Sequence, residues 1–101
     1  MTVEVHLNKS SNELLVKVSG RFDFSVHQDF RKLSEQAGGG ISSICIDLSQ
    51  TEYVDSSALG MLLVLRDKVA DQKSAIRIIN ARPEVKKILV IANFDKLFTL
   101  V

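Results

Sequence analysis

Asp55-Ser56-Ser57, with His27 and Asp23 elsewhere in the chain, is the one set of residues whose types could support nucleophilic chemistry. Ser56 would attack, His27 would take its proton, and Asp23 or Asp55 would orient the imidazole. The surrounding sequence argues against this. No Gly-x-Ser-x-Gly elbow exposes Ser56 on a strained turn. His27 falls near a helix start on an expected wet face, and His6 alternates outward on a strand. These two histidines have no cysteine or acid at ligand spacing, so no metal site is expected. Gly38-Gly39-Gly40 follows a helix, whereas a phosphate loop opens onto a helix N-terminus, so it reads as a stop and turn. Cys45 is the single cysteine and lies in the apolar run Ile44-Cys45-Ile46, as a buried thiol would. The expectation is a non-enzyme without cofactor or metal.

A serine beside an aspartate at a helix start has two other uses. The ordinary one is capping, since Ser and Asp oxygens satisfy free first-turn amides. The other is as an acceptor of phosphate, which brings a charge of about −1.5 to −2 and three acceptor oxygens. The helix that follows is unusually apolar. Ala58, Leu59, Leu62, Leu63, Leu65 and Val69 suit a core stripe, while Met61 and Val64 point well away from it. Such a helix is either packed on two sides or carries a partner surface.

The elements that position these residues follow from periodicity. Val3, Val5 and Leu7 alternate with Glu4 and His6, predicting a strand with one wet face; Leu14, Val16 and Val18 alternate with Lys17 and Ser19. The turn-rich Asn8–Asn12 between them predicts a hairpin. Ser25-Val26-His27-Gln28 has the form of a capping box, followed by Val26, Phe30, Leu33 and Ala37 at helical spacing. Residues 44–48 predict a central strand, 57–71 a second helix and 76–79 another strand. Pro83 suits the first turn of a third helix with Val85, Ile88, Leu89 and Ala92 on its buried stripe, and Asn93 suits a left-handed stop. Residues 97–101 form a last strand or a docked tail. The order is strand, strand, helix, strand, helix, strand, helix, strand. It predicts an α/β domain with a mixed, mostly parallel sheet, an N-terminal antiparallel hairpin and about three packed helices.

The totals agree with one domain spanning residues 1–101. Of 101 residues, 46% are apolar and 25% charged, enough for one modest core. A formal net charge of +1, with no run of like charge, gives no reason to expect nucleic acid or an anionic membrane as partner. No stretch has the pattern of a signal peptide or the length of a membrane span, so a cytoplasmic location and no direct membrane contact are expected.

Asp55-Ser56-Ser57-Ala58-Leu59-Gly60, after the strand at 44–48, resembles the signature of STAS-domain anti-sigma-factor antagonists. Gly20-Arg21-Phe22-Asp23 is similar to that family's Gly-x-Leu-Asp segment, and Pro83–Leu89 to its third helix, so the likeness runs over nearly the full length. It departs at Arg21, where many relatives carry an acid, at Ala58, often glycine, and at Asn93, also often glycine. The resemblance implies a protein-binding regulator of transcription. Its partners would be an anti-sigma factor or a serine kinase of the partner-switching type, and a serine phosphatase. It implies Ser56 as the phosphorylated residue, with Ser57 the alternative acceptor. The partner surface then expected is Phe22–Val26, Tyr53–Gly60 and the outer side of the second helix. Within it, Arg21, Asp23, Phe24, Ser25, Tyr53, Asp55, Ser56, Ser57, Ala58, Leu59, Gly60, Met61 and Val64 are the candidate contacts, Asp23 as one near the kinase's nucleotide. The alternative is an accessory subunit of a membrane transporter, which would use the apolar second helix as a permanent interface without the switch.

Overall fold

The alternation at the N-terminus closes as a hairpin. A computed structural model describes residues 2–37, 41–68 and 76–101. Strand β1 (Thr2–Asn8) runs antiparallel to β2 (Glu13–Phe22), pairing Val3 with Val18, Val5 with Val16 and Leu7 with Leu14. Asn12 takes a left-handed φ of 56° at the turn, a conformation asparagine tolerates. Every later pairing is parallel, as strands joined through helices require. The sheet order is β1-β2-β3-β5-β6, with β3 (Ser43–Asp47) in the middle, then β5 (Ile76–Ile79) and β6 (Thr99–Leu100). The C-terminal segment is thus a strand. The glycine triplet, Val69 and the expected helix end at Asp71 lie outside the described residues.

One element differs from the sequence expectation. Between β3 and the second helix, where the predicted order has no strand, the chain forms β4 (Thr51–Val54), which pairs with the last residues of β2. Strand β2 therefore divides its length. Residues 13–17 pair with β3, while residues 20–22 pair with β4, after a register shift between Gly20 and Arg21. Gly20 makes the bend with a φ of 82°, a region that disfavours side chains, and its N–H donates to Gln50 O at 2.9 Å. The Thr51 hydroxyl, fully buried, donates to Val18 O at 2.7 Å and fastens the start of β4 to β2.

Three helices complete the domain. Helix α1 (His27–Ala37) buries Phe30 and Leu33; α2 (Ser56–Lys68) buries Ala58, Leu62 and Leu65; α3 (Pro83–Ile91) buries Val85 and Leu89. Pro83 stands in the first turn of α3, and Asn93 holds the left-handed φ of 63° expected of a stop. These side chains meet Leu14, Val16, Val18, Ile44, Ile46, Ile76 and Ile78 from the sheet in one apolar cluster. Each such side chain withdrawn from water contributes about 1.5–3 kcal/mol, offset by its ordering entropy. Cys45 is buried as expected.

Two burial expectations fail. Leu63, assigned to the core stripe, is 38% exposed; the stripe is narrower and made of Ala58, Leu62 and Leu65. Val5 and Leu7, expected on a dry face, are 40% and 41% exposed, because β1 is an edge strand. Alternation identifies a face but does not supply the cover for it.

Candidate functional site

The forked β2 brings two aspartates together. Phe22 of β2 and Val54 of β4 are paired, and the next residue on each strand is Asp23 and Asp55. The Asp55 N–H donates to Phe22 O at 3.4 Å across the gap. Each carboxylate then starts a helical segment in the same way. Asp23 Oδ1 accepts the Ser25 N–H at 3.0 Å and the Ser25 hydroxyl at 2.6 Å, capping a 3-10 turn (Phe24–Val26) that leads into α1. Asp55 Oδ1 accepts the Ala58 N–H at 3.0 Å and the Ser57 hydroxyl at 2.6 Å, capping α2. Asp23 thus caps the 3-10 turn that precedes α1, two residues ahead of the Ser25–Gln28 box read from the sequence.

These bonds hold both carboxyls below the usual carboxylate range. For Asp23 the cause is the Ser25 hydroxyl and amide, with a smaller contribution from Arg21. For Asp55 the Ser57 hydroxyl dominates, then the Ala58 N–H, opposed by partial desolvation and by the charge of Asp23. Two anions thus sit side by side at the ends of β2 and β4, with one cation close by. Arg21 approaches Asp23 Oδ2 at 3.6 Å, and its guanidinium lies 4.5 Å from the centre of the Tyr53 ring. Because Arg21 and Tyr53 are paired across β2 and β4, this stack follows from the strand register.

The two serines of α2 differ. Ser57 is half-buried and its proton is committed to Asp55. Ser56, the first residue of α2, is exposed, and its hydroxyl has no hydrogen-bond partner among the described residues. A group transferred to Ser56 breaks no bond of the fold. The same transfer at Ser57 displaces a capping contact worth about 1 kcal/mol.

Of the expected surface, Arg21, Phe24, Ser25, Tyr53, Ser56, Gly60 and Val64 are exposed, and Asp23, Asp55, Ser57, Leu59 and Met61 are half-buried. Ala58 is not available to a partner. It is fully buried, because the third residue of α2 turns inward onto the sheet. Phe22 of β2 and Val26 of the 3-10 turn are likewise core residues. Leu59 and Met61 lean against the core cluster, whereas Val64 stands 54% exposed.

Beside Ser57 lies a groove between α1 and α2 that the sequence did not disclose. It has a volume of about 600 Å³ and is lined by Phe24, His27, Phe30, Arg31, Ser34, Glu35, Ser57, Gly60, Met61, Val64 and Lys68. Phe24, 62% exposed, stacks on His27 with ring centres 4.4 Å apart and forms one wall. Gly60 opens the other: a Cβ added there meets nothing within 4 Å. The only hint in the sequence was Gly60 in the middle of an otherwise strong helix, where glycine costs about 1 kcal/mol. His27 is held by Phe24 against this wall, and the exposed His6 lies on β1, 3.7 Å from Glu4. No helix of the described residues is long and apolar enough to cross a membrane.

Comparison with known proteins gives one reading throughout. The family model described as "Mlab, STAS domain" matches residues 5–101. A STAS-domain containing protein of Pseudomonas aeruginosa is 42% identical over 100 residues, covering 99% of each chain. The fold is also that of the anti-sigma factor antagonist SpoIIAA. Its unphosphorylated form superposes with a TM-score of 0.83 at 17% identity, over 99% of this chain and 88% of that one. The phosphorylated form of the Bacillus cell fate determinant SpoIIAA gives 0.76 at 14% identity, over 99% and 91%. With the family-model match over residues 5–101 and the 42% identical relative, this chain is a member of the STAS-domain family.

Proposed function

We propose that this protein is a non-enzymatic, phosphorylation-switched anti-sigma-factor antagonist, with Ser56 as the acceptor and the surface around it as the docking face. The observation that carries the reading is the contrast between Ser56 and Ser57: one hydroxyl exposed and unengaged at the tip of α2, the other locked onto Asp55. Phe24, Tyr53 and Val64 supply exposed apolar and aromatic area around this tip. Such side chains anchor protein interfaces. The partner is an anti-sigma factor or serine kinase of the partner-switching type, and a serine phosphatase resets the switch. The location that goes with such partners is the cytoplasm. A relative of the same fold, SpoIIAA, exists in unphosphorylated and phosphorylated forms.

The physics of the switch is local. A phosphoryl group on Ser56 sits at a helix N-terminus, where the dipole favours negative charge. The Ala58 amide is already held by Asp55, so the new dianion has Asp55 and Asp23 as neighbours rather than a ready set of donors. In the free protein, water screens this repulsion. In a closed interface the dianion is desolvated beside two carboxylates, and binding is lost. A hundredfold loss of affinity needs only about 2.7 kcal/mol.

The test is a pulldown from the native cells with the parent protein, Ser56→Ala, Ser56→Asp and Ser57→Ala, alongside mass spectrometry of the isolated protein. The proposal expects phosphate on Ser56, and capture of a serine kinase by the parent and by Ser56→Ala but not by Ser56→Asp. Phosphate on Ser57 alone, or equal capture by Ser56→Asp, overturns it. Capture of transporter subunits irrespective of residue 56 selects the accessory-subunit alternative.

A further inference from the structure

The feature left unused by this site is the outer edge of β1. The strand is seven residues long, terminates the sheet, and pairs only with β2 among the described residues. An edge strand presents a row of backbone N–H and C=O groups to water and is a template for another strand. Charged side chains ordinarily blunt such edges. Here Glu4 and His6 are exposed, but Val5 and Leu7 beside them are 40% and 41% exposed. Their partners on β2, Val16 and Leu14, are fully buried. Cross-strand partners share a face, so the apolar layer of the sheet runs out to its edge and stops uncovered.

We propose that β1 pairs antiparallel with β1 of a second copy, in the register that sets Val5 opposite Val5. The polar residues select this register, because two carboxylates face to face repel whereas a carboxylate accepts from an imidazole N–H. Keeping each face matched allows Val5 to stand opposite Val3, Val5 or Leu7 of the other strand. Val5 on Val3 puts Glu4 opposite Glu4, and Val5 on Leu7 puts His6 opposite His6. Val5 on Val5 puts Glu4 opposite His6 and His6 opposite Glu4. It also sets Val3 against Leu7 and engages all residues from Thr2 to Asn8. One register is thus both the longest and the only one of the three without a self-facing ionisable residue. The arrangement is closed and two-fold, continuing each sheet into the other. Within its own chain Glu4 also faces Lys17 of β2, so the pairing extends a polar stripe that already exists. None of these residues belongs to the surface around Ser56, and the inference does not rest on the function proposed for it.

The test is sedimentation velocity of the whole protein from micromolar to millimolar concentration, with Glu4→Lys, His6→Glu and the combined variant. The parent dimerises in this range, as a single strand edge predicts. Glu4→Lys removes the carboxylate that accepts from His6 of the second copy, and His6→Glu sets a carboxylate opposite Glu4, each twice by symmetry. Each weakens the dimer by about tenfold. The combined variant restores lysine–glutamate pairs and returns affinity to the parent value or better. Concentration-dependent protection of the amides of residues 3–7 from hydrogen exchange locates the contact independently of the variants. A parent that stays monomeric overturns the proposal. So does a dimer indifferent to the single substitutions, and so does a combined variant as weak as the singles, which signifies another register.

Discussion

Replacing Gly60 by alanine separates what this helix needs to fold from what the groove needs to remain open. Gly60 lies in the interior of α2 with backbone angles outside the left-handed region, where only Gly20 among the described glycines falls. Alanine therefore adopts the same conformation without strain. The added methyl meets nothing within 4 Å, so no neighbour has to move and no core volume is filled. What remains is intrinsic propensity and the lower entropy of the unfolded chain, which favour alanine by about 0.4–1 kcal/mol. For a domain of this size that corresponds to a rise in melting temperature of about 2–8 °C. With a urea slope of about 1–3 kcal/mol/M, the midpoint rises by about 0.1–1 M. Thermal and urea melts of the parent and Gly60→Ala, followed by far-UV circular dichroism, measure both. Gly60→Leu carries the argument to function: its side chain occupies the groove beside Met61 and Val64, leaves the domain folded, and weakens capture of the partner at least as much as Ser56→Asp. A Gly60→Ala variant less stable than the parent would falsify the open-groove geometry. A Gly60→Leu variant that binds normally would remove the groove from the docking face.

Thr51→Val retains shape but removes the hydroxyl that donates to the buried Val18 O. A loss of about 1–3 kcal/mol in urea-derived stability is expected. Because the folded-state pKa of Asp55 is depressed, its charge stabilises the native state above the ordinary carboxylate value of 3.8. That contribution disappears as pH falls through the depressed value. Asp55→Asn, still a competent cap, is therefore less stable than the parent at neutral pH, and melts recorded toward pH 2 should show the gap closing. The Cys45 thiol is pushed up by burial, with Arg77 opposing and Glu13 and Asp47 adding to the shift. It should react with a disulfide reagent at mildly alkaline pH far more slowly in the native protein than in urea, and equal rates would contradict its burial.

What the sequence determined by itself was local. The alternation in the first two strands, the stop at Asn93 and the start of α3 at Pro83 depend on interactions within a few residues, and each stands in the structure. The capping chemistry of Asp55 was equally legible. Strand β4 is not legible in the sequence, because Thr51–Val54 is short and ends in the polar Asp-Ser-Ser block, although its β-branched and aromatic residues suit a strand. Its existence depends on a partner some thirty positions earlier, freed by the bend at Gly20. Tertiary structure alone decided which apolar residues are covered. Ala58 is buried and Val64 exposed on one helix, and Val16 is buried while its partner Val5 is half in water. The physical reason is that periodicity is a property of the chain, whereas burial belongs to whatever packs against it. The same packing joined Asp23 to Asp55 and opened the groove between α1 and α2.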